Sequence, residues 1–260
     1  METAQTNLLE FIGIEENNLL VSMITCHRDI ALGFPNIDGV FKAPIKHLNI
    51  NVKDDHKNIV VALYLYTHYH MYFSIVCLLR CHLSESLAST RKAIDATLTA
   101  YRLITEPETL TQYVNREKDY KSIKAFIGRK RREDSKVYPL AETLLEFHDI
   151  CSEYGSHADI SSLVQRIVIE GVEGADIGQF KVNMFQIMDS DLEERKHMVD
   201  TFLVFTSMLK VFSGFISGLA TGLDSEDWNK KIDNLTIAIL KEVGKIRAEL
   251  ETIKAKAAQI

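Results

Sequence analysis

Residues 56–106, "HKNIVVALYLYTHYHMYFSIVCLLRCHLSESLASTRKAIDATLTAYRLITE", decide the fold class, because no glycine or proline interrupts them before Pro107. A run of that length is too long for one ordinary globular helix. A break is therefore expected near "CHLSES", residues 81–86, with a helix on each side. The rest of the chain is equally poor in breakers, with 12 Gly and 4 Pro in 260 residues, which disfavours a multi-stranded sandwich and its frequent turns. With 46% hydrophobic residues the chain can bury a full core. The expected fold is all-α.

Working outward, residues 5–31 carry Leu8, Leu9, Ile12, Leu19, Leu20, Met23 and Ile24 at helical spacing, interrupted by Gly13. From Gly33 to about Asp55, two of the four prolines and several turn formers predict a long N-terminal loop, with room for one short strand. A charged segment, 108–130, ends near "GRKRRED". In 135–154, Leu140, Leu144, Phe147, Cys151 and Tyr154 share one face, which is expected to point inward. Turn glycines and β-branched residues in 165–188 predict a small hairpin or irregular excursion. A last body helix starts at a cap on Asp189 or Ser190 and continues to Gly222.

Two patterns concern assembly. Thr201–Gly222 holds a single charge, Lys210, and is long enough to span a bilayer, which a membrane-associated effector would use. Its acidic flanks and mid-span lysine favour a buried central helix, so a membrane is not the expected partner. Gly214, Gly218 and Gly222 form a GxxxGxxxG stripe that suits a close helix crossing, expected inside the monomer. Beyond it, isoleucine recurs at 232, 239, 246, 253 and 260, with Thr236, Val243, Leu250 and Ala257 four places after the first four. That is a coiled-coil repeat. It divides the chain into a bundle, 1–223, and an oligomerising helix, 224–260, with Ile232, Ile239, Val243, Ile246, Leu250 and Ile253 as the seam of a homo-oligomer. The same tail folded back on the bundle is the alternative.

Net charge of −6 argues against coating nucleic acid through overall charge. The N-terminus lacks a basic region and a cleavage site, and the four cysteines show no disulfide spacing, so a cytoplasmic, reduced chain is expected. His70, Ser74, Cys77 and Cys81 share a helix face and His148 and Cys151 are three apart, yet no set has a recognised metal spacing. Neither metal nor cofactor is expected. The basic run Arg129, Lys130, Arg131 and Arg132 is a candidate phosphate contact, and otherwise a solvated helix end.

Chemistry centres on two places. Arg91 falls in the stripe marked by Leu87, Ile94 and Leu98, with Asp95 four residues on; it needs a partner or a path to water along its stem. In "YGSHAD", Gly155 suits a left-handed helix stop, and Ser156 with Asp159 suits a capping pattern for a restart. His157 would then sit in a first turn, where the positive helix end favours the neutral imidazole.

The stretches "CHLSESLASTRKAIDATLTAYRLITEP", 81–107, and "FHDICSEYGSHADISSL", 147–163, resemble HEPN-related helical bundles and the bacterial families near them, a likeness spanning roughly residues 55–222. The resemblance implies a bundle that gathers Arg91, Asp95, Tyr154, Ser156 and His157 into one polar, catalytic-type cluster. It also implies a place for RNA in a defence setting. The Arg-then-His signature of HEPN ribonucleases, four to six residues apart, is missing: Arg80 with His82 and Arg195 with His197 are too close. The expected role is a homo-oligomeric interaction or regulatory protein with a protein partner, the alternative an RNase or nucleotide-handling effector.

Overall fold

Asp54 starts the first of the two organising helices. Its carboxylate accepts the amide of Lys57 at 3.1 Å and caps α3, Asp55–Leu79, satisfying one of the donors that a helix start leaves unpaired. The helix stops where Cys81 takes a left-handed φ of 64°, and α4, Leu83–Thr105, returns antiparallel to it. The break falls inside the expected segment.

The computed structural model describes residues 8–22, 30, 33–155, 167–171, 178–182 and 191–257. Ahead of the hairpin lie α1, Leu8–Val21, and α2, Gly33–Lys42. After it come three shorter helices, α5 (Leu110–Val114), α6 (Lys118–Lys121) and α7 (Ile123–Glu133), and then α8, Glu142–Gly155. Strands β1, Ile167–Gly171, and β2, Gly178–Val182, pair antiparallel with Ile169 opposite Phe180, which gives the hairpin excursion its form. Two long helices close the chain, α9, Asp191–Leu219, and α10, Ser225–Ala257. The described residues form an all-α bundle plus that one hairpin.

The α3–α4 crossing is lined by small polar side chains. Ser74 Oγ lies 2.7 Å from Thr90 Oγ1 and 3.0 Å from Ser86 Oγ, Thr67 Oγ1 lies 3.3 Å from Thr97 Oγ1, and His70 Nδ1 lies 2.9 Å from Ser89 Oγ. Such residues let the backbones approach, while back-bonds such as Thr97 to the Ala93 carbonyl at 2.8 Å keep the buried hydroxyls paired. The face that carries His70 and Ser74 is a helix crossing, as small residues there suggest.

Two expectations change. The first half of the expected N-terminal loop is the helix α2: Phe34, Ile37, Val40 and Phe41 recur at helical spacing and all are buried. Pro35 does not break it, because a proline in the first turn removes only an N–H that has no partner there. Among the described residues the glycine stripe makes no helix crossing. Gly214 and Gly218 face open space, and Gly222, at φ +84°, belongs to the turn after α9.

Helix α9 supplies much of the core through Phe202, Phe205, Met208, Leu209, Phe212 and Ile216. Its Lys210 pairs with Asp233 at 3.5 Å, and Arg195 forms two contacts with Glu249, the shorter at 2.9 Å. Those pairs set α10 antiparallel on α9. The seam isoleucines Ile232, Ile239 and Ile246 are thereby buried against the chain's own α9, with Val243 and Leu250 half-buried beside them and Ile253 exposed. Trp228 locks the start of α10 to α2, its indole N–H donating to the Val40 carbonyl at 2.9 Å. Two helices, Asp55–Leu79 and Leu192–Leu219, are long and apolar enough to cross a membrane, yet 44% and 50% of their apolar windows are buried in this core.

Candidate functional site

An open cleft of about 590 Å³ lies where α4, α7 and α8 meet, with Tyr66 of α3 and the short helices α5 and α6 at its rim. Helix α4 contributes Arg91, Asp95 and Thr99, spaced by four and so aligned along its axis. Helix α8 contributes His148, which is buried, and the segment 120–125 adds Tyr120, Lys121 and Lys124.

Asp95 does not pair with Arg91 along its own helix. Its Oδ1 lies 3.1 Å from His148 Nε2, on the facing helix. With Nε2–H donating to the carboxylate, His148 Nδ1 faces Ser152 Oγ at 3.2 Å, while that hydroxyl donates to the His148 carbonyl at 2.6 Å. Aspartate, histidine and serine thus stand in the order a hydrolytic triad uses. Ser152, however, commits its one proton to the shorter back-bond, and it lines none of the described cavities. The arrangement orients Asp95 and does not present a nucleophile. Cys151 beside it is fully buried, and burial pushes its thiol up to about 12, with Arg91 pulling it down and Asp95 pushing it further up. It is no nucleophile at neutral pH.

The cations behave differently from one another. Lys124 is tied to Asp149 of α8. Arg91, Lys92 and Lys121, all on the cleft, have no carboxylate within ion-pair distance among the described residues. Three ring systems, Tyr66, Tyr113 and Tyr120, border the same space. Tyr113 packs edge-on against Tyr120 at 5.3 Å, and Tyr120 is fixed by a 2.6 Å hydrogen bond between its hydroxyl and Thr109.

Behind the cleft sits Arg102, only 3% exposed, with Nε 3.3 Å from Glu106 and an Nη donating to Gln112 at 3.0 Å. Its guanidinium lies between the rings of Phe126 at 3.8 Å and Tyr120 at 4.4 Å, so ring faces meet the Nη that no hydrogen bond satisfies. Glu106 also accepts from the Tyr138 hydroxyl at 2.6 Å; burial and that carboxylate both push Tyr138 well above the ordinary phenol range. This network ties α5, α6 and α7 to α4 and so shapes the cleft wall. Sequence reasoning assigned the need for a buried partner to Arg91 and passed over Arg102. The signal was there: Arg102 follows Leu98 by four on the apolar stripe and precedes Glu106 by four.

Of the expected cluster, Arg91 and Asp95 reach the cleft, Arg91 half-buried. Tyr154 and Gly155 are the last described residues of α8; the side chain of Tyr154 and the expected helix stop and restart beyond Gly155 lie outside the described residues. Ser156 and His157 are outside them as well. The histidine on the cleft is His148, singled out in the sequence only for its spacing to Cys151. In the expected inward face of α8, Leu144 and Cys151 are buried and Leu140, in the turn before the helix, is exposed.

Three of the four cations of the basic run have local partners, and Arg132 has no carboxylate within ion-pair distance among the described residues. Arg129 pairs with Asp119 at 3.8 Å, Lys130 with Glu133 at 3.7 Å, and Arg131 with Glu142 at 3.2 Å and the Tyr138 carbonyl at 2.9 Å. Arg131 acts as a brace between α7 and α8. Among the described residues no group of three or more His, Cys, Asp or Glu side chains is placed to hold a metal ion. In comparisons with known proteins, no family model, curated protein or solved structure matches the chain.

Proposed function

We propose that this is a helical binding protein of regulatory type, whose cleft holds a nucleotide, free or as one unit of a short single-stranded RNA. The observation that carries the reading is the set of three cations, Arg91, Lys92 and Lys121, facing one cleft without an acidic partner among the described residues. A phosphate group matches unpaired guanidinium and ammonium groups, and a base has tyrosine faces at hand on the rim. Asp95, held by His148, supplies an acceptor for a ribose hydroxyl or an exocyclic amine.

Anisotropy titration of a labelled adenine nucleotide and a labelled RNA oligomer tests it. Replacing both Arg91 and Lys92 with alanine removes two charge-assisted contacts and is expected to weaken binding by about ten- to a hundredfold. Wild-type protein that fails to saturate at low salt, or a double variant that binds as well, ends the proposal.

A second reading, the RNA-cleaving effector that the resemblance to HEPN-related bundles implies, draws on the Asp95–His148 pair beside Arg91. Cleavage of RNA by the wild type, lost in a folded His148→Ala variant, would select it.

A further inference from the structure

Between Lys57 and Arg80, α3 carries no Asp, Glu, Lys or Arg. Its two histidines there, His68 and His70, turn inward. Every exposed position on this length is therefore uncharged: Ala62, Leu65, Tyr66, Tyr69, Tyr72, Phe73 and Val76. A third to a half of each large side chain stays open, from Val76 at 37% to Tyr69 and Phe73 at 52%. Among the described residues nothing covers this face.

We infer that this face of α3 is the seat of a second copy of the chain, paired antiparallel across a twofold axis at Tyr69. Two observations select that occupant. The exposed positions are symmetric about Tyr69, so an antiparallel copy sets Leu65 of one chain against Phe73 of the other, Tyr66 against Tyr72, and Ala62 against Val76. A surface complementary to itself is what an isologous dimer requires, and the spacing repeats every seven residues as in a helix–helix seam. The area also fits. Four rings about half exposed, at ~150–250 Å² each, with Leu65 and Val76, offer roughly 500 Å² of apolar surface per copy. A standard interface of about 800 Å² per partner, some 56–65% of it apolar, needs the same amount.

The face is also held in place before any partner arrives. Tyr72 donates its hydroxyl to Asp38 at 2.6 Å, Tyr69 packs 5.2 Å from both His70 and Phe73, and Tyr66 sits 4.4 Å from His70. Rings fixed in advance lose little freedom on association. The seam isoleucines of α10 play no part, since Ile232, Ile239 and Ile246 are buried on α9.

Sedimentation equilibrium of the full chain tests the inference, and because Tyr66 also borders the cleft, the variants are placed at Tyr69, Leu65 and Phe73, which do not line it. Wild type is expected at twice the 29.6 kDa chain mass. Tyr69→Lys sets two ammonium groups face to face on the axis and is expected to return the mass to one chain, with the far-ultraviolet circular dichroism unchanged. Register is tested by Leu65→Lys and Phe73→Glu, each of which weakens the dimer alone, whereas the double variant restores it by pairing opposite charges across the axis. A monomeric wild type overturns the inference, and so does one that instead binds neutral phosphatidylcholine vesicles through this face. A dimer that survives Tyr69→Lys, or a double variant weaker than both single ones, overturns it equally.

Discussion

Replacing Trp228 tests whether the last helix belongs to the body of the molecule. Its side chain is 1% exposed, and its indole N–H meets the Val40 carbonyl near the end of α2 at 2.9 Å. That carbonyl has no donor from its own helix, because the residue four places on is Pro44, which lacks an N–H. Burial of a tryptophan, at ~150–250 Å² and about 25 cal/mol per Å², corresponds to roughly 4–6 kcal/mol of transfer free energy. Truncation to alanine keeps part of that and leaves a cavity, so Trp228→Ala is expected to cost about 3–5 kcal/mol. Trp228→Phe fills most of the space but strands the carbonyl, and should cost about 1–3 kcal/mol. Urea unfolding followed by far-ultraviolet circular dichroism measures both. With a slope near 3 kcal/mol per molar, the alanine variant should lose about 1–2 M in midpoint. Since Trp228 is the one tryptophan in the chain, emission of the native protein should also be that of a buried indole. The same loss in a Tyr69→Lys background would separate tail docking from dimer formation. An unchanged midpoint in Trp228→Ala, or solvent-like emission from the native wild type, would refute a tail packed on its own body.

Three further outcomes are expected. Burial, reinforced by Lys92 for His70 and by Lys196 for His197, holds both imidazoles below their ordinary value of 6.5, against a smaller opposing pull on His197 from Asp200 and Glu193. The unfolded chain then binds more protons, so stability is full above about pH 6.5 and declines as the pH falls through the lowered values; melting temperature against pH should flatten in His70→Gln, and an unaltered slope would contradict this. A Cβ at Gly33 would lie 2.9 Å from Phe202 Cζ, whose ring already stacks on Phe34 at 4.2 Å, so Gly33→Ala should lower the melting temperature by several degrees; no change would show that the ring moves freely. Cys151, buried and with its thiol pushed up, should escape alkylation near pH 8 until urea unfolds the chain, as mass spectrometry of peptides would report; labelling of native protein would contradict that burial.

Local chemistry determined much of this molecule. The run without glycine or proline dictated two helices, the break at Cys81 fell where polar and small residues accumulate, and the seven-residue isoleucine repeat marked a face that must leave water. Periodicity states which face is buried but carries no information about what buries it. The isoleucines could have met a second chain equally well; the antiparallel return of α10 along α9, held by Lys210 to Asp233 and Arg195 to Glu249, decided for the chain itself. The site shows the same limit. Arg91 and Asp95 were legible because they lie four apart on one helix, whereas His148, 53 positions beyond Asp95, became its partner only through the packing of α8 on α4. Proline and glycine in residues 33–42 read as a loop because local preference favours one, and burial of Phe34, Ile37, Val40 and Phe41 in the shared core outweighed it. A sequence records the preferences of neighbours along the chain, while contacts between distant segments are settled by the core they build together.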